Sequence, residues 1–138
     1  MIDWHTCCRQ LLAKNVTVDE PFALSLIKTS ENKKLSEVQL QLTEVTAASK
    51  VSLAYDSLRE LLEAVALRNG YKIYNHECYG AFLKEVLRSS LGAEFDILRK
   101  IRNSVNYYGK QINSEEAKDI IERIYKLRAE IKSKLMVR

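Results

Sequence analysis

An all-α antiparallel helical bundle of about five to six helices is the fold this sequence predicts. Two observations carry that reading. The 138 residues contain one proline and four glycines, too few turn signals for a sandwich or barrel, which needs one every few residues. Every long segment spaces its apolar residues three and four apart, and none alternates cleanly as a strand does. A chain of this length fits one domain with a real core. Residues 1–138 therefore read as a single helical domain, with a short N-terminal helix within 1–16.

The elements follow in order. Asp3 can cap a first short helix to which Trp4, Leu11 and Leu12 contribute apolar surface, and Asn15-Val16 reads as a break. Thr17, Asp19, Glu20 and Pro21 form a helix-start cluster: a capping residue, acids for the positive end of the dipole, and proline in the first turn. Phe22, Leu26 and Ile27 give that helix an apolar face. The polar segment Thr29–Lys34 interrupts the pattern before Leu35 and Val38, so residues 17–46 fit one kinked helix or two.

The next helix runs from about Ala47 to Asn69 on a stripe of Val51, Ala54, Tyr55, Leu58, Leu61, Leu62, Val65 and Ala66, with Asn69-Gly70 as its left-handed stop. Tyr71-Lys72-Ile73-Tyr74 reads as a connector. Asn75 caps a helix through about Arg88, whose inward residues are Tyr79, Phe82, Leu83, Val86 and Leu87. Ser89–Gly92 reads as a loop. A fifth helix, from about Ala93 to Tyr108, stops at Gly109. A last one starts at Asn113 or Ser114, where Asn113 and Glu116 have capping-box spacing. Short connections between such helices give antiparallel neighbours.

Composition removes several classes of function. No apolar run approaches the roughly 18 residues of a membrane span. The first residues, Met1-Ile2-Asp3-Trp4-His5, lack the basic and apolar regions of a secretory signal. The expected location is cytoplasmic, with no membrane partner. Cys7 and Cys8 are adjacent and Cys78 stands apart; an odd count without CxxC spacing predicts buried or half-buried thiols rather than a disulfide framework or a zinc site. There is no glycine-rich phosphate loop, GxSxG or HExxH, and no cofactor is expected. The positive charge gathers late: residues 99–138 hold eleven Lys and Arg against five Asp and Glu. That distribution points to a phosphate-bearing partner, and it also fits a solvated basic face on the last helix.

The informative stretch is Leu98-Arg99-Lys100-Ile101-Arg102-Asn103-Ser104-Val105-Asn106-Tyr107-Tyr108-Gly109. At 100° per residue Leu98, Ile101 and Val105 face one way. Arg102 and Asn106 flank that stripe, Arg99 and Asn103 lie further round, and Tyr107 falls on the far side. Arginine suits bidentate contact with phosphate, and a half-buried asparagine can fix a neighbour's backbone. The same face also fits an ordinary amphipathic helix whose Arg and Asn cap neighbouring segments. Of the two histidines, His5 and His76, the second opens a helix beside Glu77, where a capping or surface role is the ordinary one.

The run Arg102-Asn103-x-x-x-Tyr107, on the penultimate long helix of a small bundle, resembles the Arg-Asn-x-x-x-His signature of the HEPN family. Ala54-Tyr55-Asp56 in a helix that ends at Arg68-Asn69-Gly70-Tyr71, His76 opening the next helix, and the ending Asn106-Tyr107-Tyr108-Gly109 are similar to bacterial and archaeal members. The resemblance spans roughly residues 17–135. It implies a homodimer in which two motif helices form a shared cleft, without cofactor or metal. Active members are metal-independent endoribonucleases, and many are toxins encoded beside a minimal nucleotidyltransferase antitoxin. Carried over, Arg102 would steady a phosphate and Asn103 would order the cleft. Arg99, Arg102 and Asn106 would bind nucleic acid, and Tyr107 or Tyr108 would be a target for nucleotidylation.

The sequence departs from that signature at one position. Tyr107 stands where the histidine belongs, and with an unperturbed pKa near 10 a phenol is a poor base at neutral pH. General acid–base catalysis contributes roughly 10²–10⁴-fold, so its loss matters. The resemblance with this departure implies a nucleic-acid- or nucleotidyltransferase-binding protein of a toxin–antitoxin or related defence pair, weakly or not catalytic. The rivals are an endoribonuclease toxin using Arg102 with Tyr107 or Asn106 in an unusual role, its catalytic set taken as Arg102, Asn103 and Tyr107, and a bundle used only for protein–protein contact.

Overall fold

A computed structural model of the chain describes residues 1–107 and 111–136, Tyr107 by its backbone alone. Among these residues there are six helices: α1 (Trp4–Arg9), α2 (Glu20–Gln39), α3 (Ala47–Arg68), α4 (Glu77–Ala81), α5 (Leu91–Tyr107) and α6 (Ser114–Leu135). Strands β1 (Ala13–Asn15) and β2 (Tyr71–Ile73) complete the order. The fold is an all-α bundle with a small clasp. No helix among the described residues is long and apolar enough to cross a membrane.

The helices begin where their caps place them. Asp3 Oδ1 accepts from the Thr6 amide at 2.7 Å, and Asp19 Oδ1 from the Phe22 amide at 3.0 Å. Asn113 and Glu116 form a reciprocal capping box. Gly70 stops α3 with φ +83°, a left-handed conformation that glycine adopts without a Cβ clash. Residues 17–46 hold one helix, α2, followed by an extended connection.

The core centres on α3, where Val51, Ala54, Tyr55, Leu58, Leu61, Leu62, Val65 and Ala66 are all buried. α2 packs on it antiparallel, as two cross-links at opposite ends require: Arg68 to Glu20, and Lys50 to Glu37. The fully buried residues of α2 are Ala23, Ser30 and Glu37. Of the expected apolar face Leu26 and Ile27 are half-buried, Ile27 against the core, while Phe22, Leu35 and Val38 stay exposed. Polar contacts add to this packing. Ser30 donates to the Ser57 carbonyl, and the buried Lys50 ammonium donates to the Glu37 and Leu40 carbonyls at the end of α2, where a cation meets the negative end of the dipole. Arg128 of α6 closes this seam by donating to Ser30 Oγ and Glu31, each at 3.0 Å.

Four further expectations from sequence are corrected. The segments around Asn15-Val16 and Tyr71–Tyr74 are the two strands of an antiparallel ladder, Ala13 opposite Ile73 and Asn15 opposite Tyr71. Three-residue strands are too short to show an alternation. Second, Cys7 and Cys78 are not free thiols but a disulfide between α1 and α4, with their Cα atoms 6.1 Å apart. An odd count forbids pairing all three cysteines, not two of them; Cys8 is the one left free. Third, α5 begins at Leu91, so Leu91 and Gly92 are helical rather than loop. Gly92 is there for contact rather than for a turn: a Cβ on it would lie 2.6 Å from the Gly80 carbonyl oxygen. α4 also ends differently from the expected run to Arg88, passing into a π-helical turn over Phe82–Val86 before Arg88 reverses the chain at φ 51°. The expected stop of α5 at Tyr108-Gly109 lies outside the described residues.

Candidate functional site

α5 packs antiparallel on α3. Asn106 Oδ1 accepts from Ser52 Oγ at 3.0 Å, Arg102 Nη2 lies 3.8 Å from Asp56 Oδ1, and Phe95 stacks on Tyr55 near the other end. The outward ridge of α5 is therefore Ala93, Ile97 and Lys100, all exposed. Arg102 turns the other way. Its guanidinium sits over the Tyr55 ring, 5.1 Å from the centroid, with only 14% of the side chain exposed.

Arg99, one turn earlier, is similarly half-buried and donates through Nε and Nη2 to Asp96 Oδ1 at 3.1 and 2.9 Å. Burial alone would raise the Asp96 carboxyl, but hydrogen bonds from Arg99 and Lys100 outweigh it and hold the group below its ordinary range. Asn103 is half-buried and Asn106 exposed. Tyr107 closes α5; its side chain, and Tyr108 altogether, lie outside the described residues.

The structure adds groups that the motif helix does not supply. His76 approaches from the start of α4, its Nδ1 3.3 Å from Tyr55 Oη and its ring 5.9 Å from the Tyr55 ring. It is fixed from both sides in sequence. β2 ends three residues before it, and the disulfide at Cys78 anchors the chain two residues after it. Asn75 Oδ1 accepts from the Glu77 amide at 2.9 Å and sets the turn between. Tyr79 also lies against the imidazole, ring centroids 6.3 Å apart. Arg59, one turn after Tyr55 on α3, adds a third guanidinium and pairs with Glu63 at 3.2 Å and Glu60 at 3.9 Å.

Burial, followed by the fields of Arg59, Arg102 and Arg99, pushes the His76 imidazole down to about 4, so it is neutral at physiological pH. Burial pushes the Tyr55 and Tyr79 hydroxyls well above the usual phenol range, so both keep their protons. The carboxylates facing the arginines are shared with lysines: Glu60 with Lys33, Glu63 with Lys72 at 3.4 Å, Asp96 with Lys100 at 3.2 Å. Among the described residues, these three arginines and three lysines face the carboxylates of Glu60, Glu63, Asp96 and Asp56.

Of the residues singled out from sequence, Arg99 and Arg102 come together and Asn103 and Asn106 continue the same helix. Sequence reasoning did not join Tyr55, Asp56, Arg59, His76 and Tyr79 to them. The i, i+4 spacing of Tyr55 and Arg59 was the available signal. A groove of about 340 Å³ lies elsewhere, between the first turn of α5 and α6, and is lined by Leu91, Glu94, Arg123, Lys126, Leu127 and Glu130. It contains none of these site residues. Compared with protein-family models, with curated proteins and with solved structures, the chain has no match.

Proposed function

We propose that the chain is a HEPN-like protein that binds single-stranded nucleic acid through the face of α5 carrying Arg99, Arg102 and Asn106, as one member of a toxin–antitoxin or related defence pair. One observation carries the reading: three half-buried guanidiniums, Arg59, Arg99 and Arg102, gather from α3 and α5 around one tyrosine–histidine pair. Guanidiniums gathered in this way suit a phosphate, which takes bidentate hydrogen bonds from a guanidinium. The motif run Arg102-Asn103-x-x-x-Tyr107 supports the same assignment. A homodimer and a minimal nucleotidyltransferase partner belong to this reading as well; the Cys7–Cys78 disulfide weighs against the cytoplasmic location expected from sequence, where thiols are kept reduced.

The test is anisotropy of a labelled single-stranded RNA at two salt concentrations. Arg102→Ala is expected to weaken binding by about tenfold or more and to lower the salt slope by about one. Arg102→Lys keeps the charge but loses the bidentate fork, and is expected to fall between. Unchanged affinity in a folded Arg102→Ala variant would put RNA binding elsewhere on the molecule, and a parent that binds no RNA would leave only a protein–protein role. RNA cleavage that resists chelator and disappears with Arg102→Ala would make the chain an endoribonuclease instead.

A further inference from the structure

We propose that Arg59, Arg99 and Arg102 form a phosphate site in which His76 takes up a proton when the phosphate binds. His76 would then supply, from α4, the titrating group that the motif helix lacks. The proposal rests on the reading above for the class of ligand.

The geometry places two groups on one ring. The Arg102 guanidinium lies 5.1 Å from the centroid of Tyr55, and the His76 ring lies 5.9 Å from the same centroid. Tyr55 Oη meets His76 Nδ1 at 3.3 Å. If the phenol donates there, as its high pKa favours, Nδ1 is the acceptor and Nε2 carries the ring proton. Among the described residues, the groups facing the imidazole are Tyr55 and Arg59 from α3, Tyr79 from α4, and Arg99 and Arg102 from α5. Asp56, whose field acts on Tyr55, lies 3.8 Å from Arg102.

Without a ligand, burial and three guanidiniums oppose an imidazolium. A phosphate lodged among those guanidiniums reverses the sign of the field at the ring, and the imidazolium becomes the favoured form. By reciprocity, a ligand that raises the affinity for a proton is itself bound more tightly when the proton is present. Phosphate affinity should therefore rise as pH falls, by up to about tenfold per pH unit between the His76 pKa values of the bound and free states.

The experiment is a pH titration of the His76 ring by ¹H–¹³C NMR on the full chain. It is run alone, with a hydroxyl-ended single-stranded RNA, and with inorganic phosphate. His5, exposed on α1, is an internal reference for general effects. The strand is all uridine, so neither its phosphodiesters nor its bases titrate in this range and pH dependence belongs to the protein. The expected result is a His76 pKa at least one unit higher with RNA than without. His76→Gln is expected to lose the gain in RNA affinity that the parent shows on acidification. RNA binding that depends on Arg102 while the His76 titration stays unmoved would overturn the proposal and leave nucleic-acid binding standing. A shift with inorganic phosphate but not with RNA would support proton coupling and overturn nucleic acid as the ligand. No binding of either probe at any pH would overturn both.

Discussion

A neutral imidazole held among three arginines ties stability to pH. The His76 pKa falls from 6.5 to about 4 on folding, so in this window the unfolded chain binds a proton that the folded chain does not. The sign follows directly: this contribution is fully present above pH 6.5 and is lost as pH falls towards 4. Melting temperatures at pH 8, 6 and 4 should show the parent losing more on acidification than His76→Gln; parallel profiles would mean that His76 is not held neutral by the fold. Arg102 and Asn106 flank the buried stripe of α5 as the helical period places them, and this much of the site was legible. His76 was not. Its sequence position says only that it opens a helix, and what brings it to Tyr55 is a ladder and a disulfide formed with residues near the start of the chain.

Among the elements, the contact between α4 and α5 sets the distance from His76 to the arginines. Gly80 and Gly92 face each other there, and an alanine at Gly92 would put its Cβ 2.6 Å from the Gly80 carbonyl oxygen. Overpacking against backbone of this kind costs about 1–3 kcal/mol, so Gly92→Ala should lower the denaturant midpoint by a corresponding amount. Gly80→Ala meets its nearest atoms at 3.4 Å, ordinary contact, and should cost less. A Gly92→Ala chain as stable as the parent would show that the helices separate freely. Helix starts were legible because a cap and its amide lie three residues apart in one segment, as at Asp3, Asp19 and Asn113. Gly92 was read as a loop because a glycine that permits close approach looks, in sequence, like one that permits a turn. α2 was misread for a related reason: Ala23, Ser30 and Glu37 face inward because Ser57, Lys50 and Arg128 wait there, and those partners come from other helices.

At the scale of the whole molecule, the disulfide joins residues 71 positions apart and both its cysteines are fully buried. Closing a loop of that length removes enough freedom from the unfolded chain to contribute about 4 kcal/mol. Guanidinium unfolding with and without reductant should show a loss of that order, reproduced by Cys7→Ala with Cys78→Ala, while Cys8→Ala stays near the parent. An unchanged midpoint under full reduction would mean the crosslink adds nothing to packing already present. The bundle itself was legible from the spacing of apolar residues; the crosslink was not, because spatial proximity of two cysteines depends on the finished fold.

The β1–β2 ladder and the Cys7–Cys78 bond together make a closed ring, with α2 and α3 as the arc between. A ribosome, adding roughly 5–20 residues per second, delivers β1 and Cys7 several seconds before their partners. In that interval the α2–α3 hairpin can pair by itself, since its contacts are internal to the arc. Cys7 and Cys8 meanwhile compete for a thiol that has not yet been made. The choice between them falls to α1, which turns Cys7 inward and leaves its neighbour only half-buried.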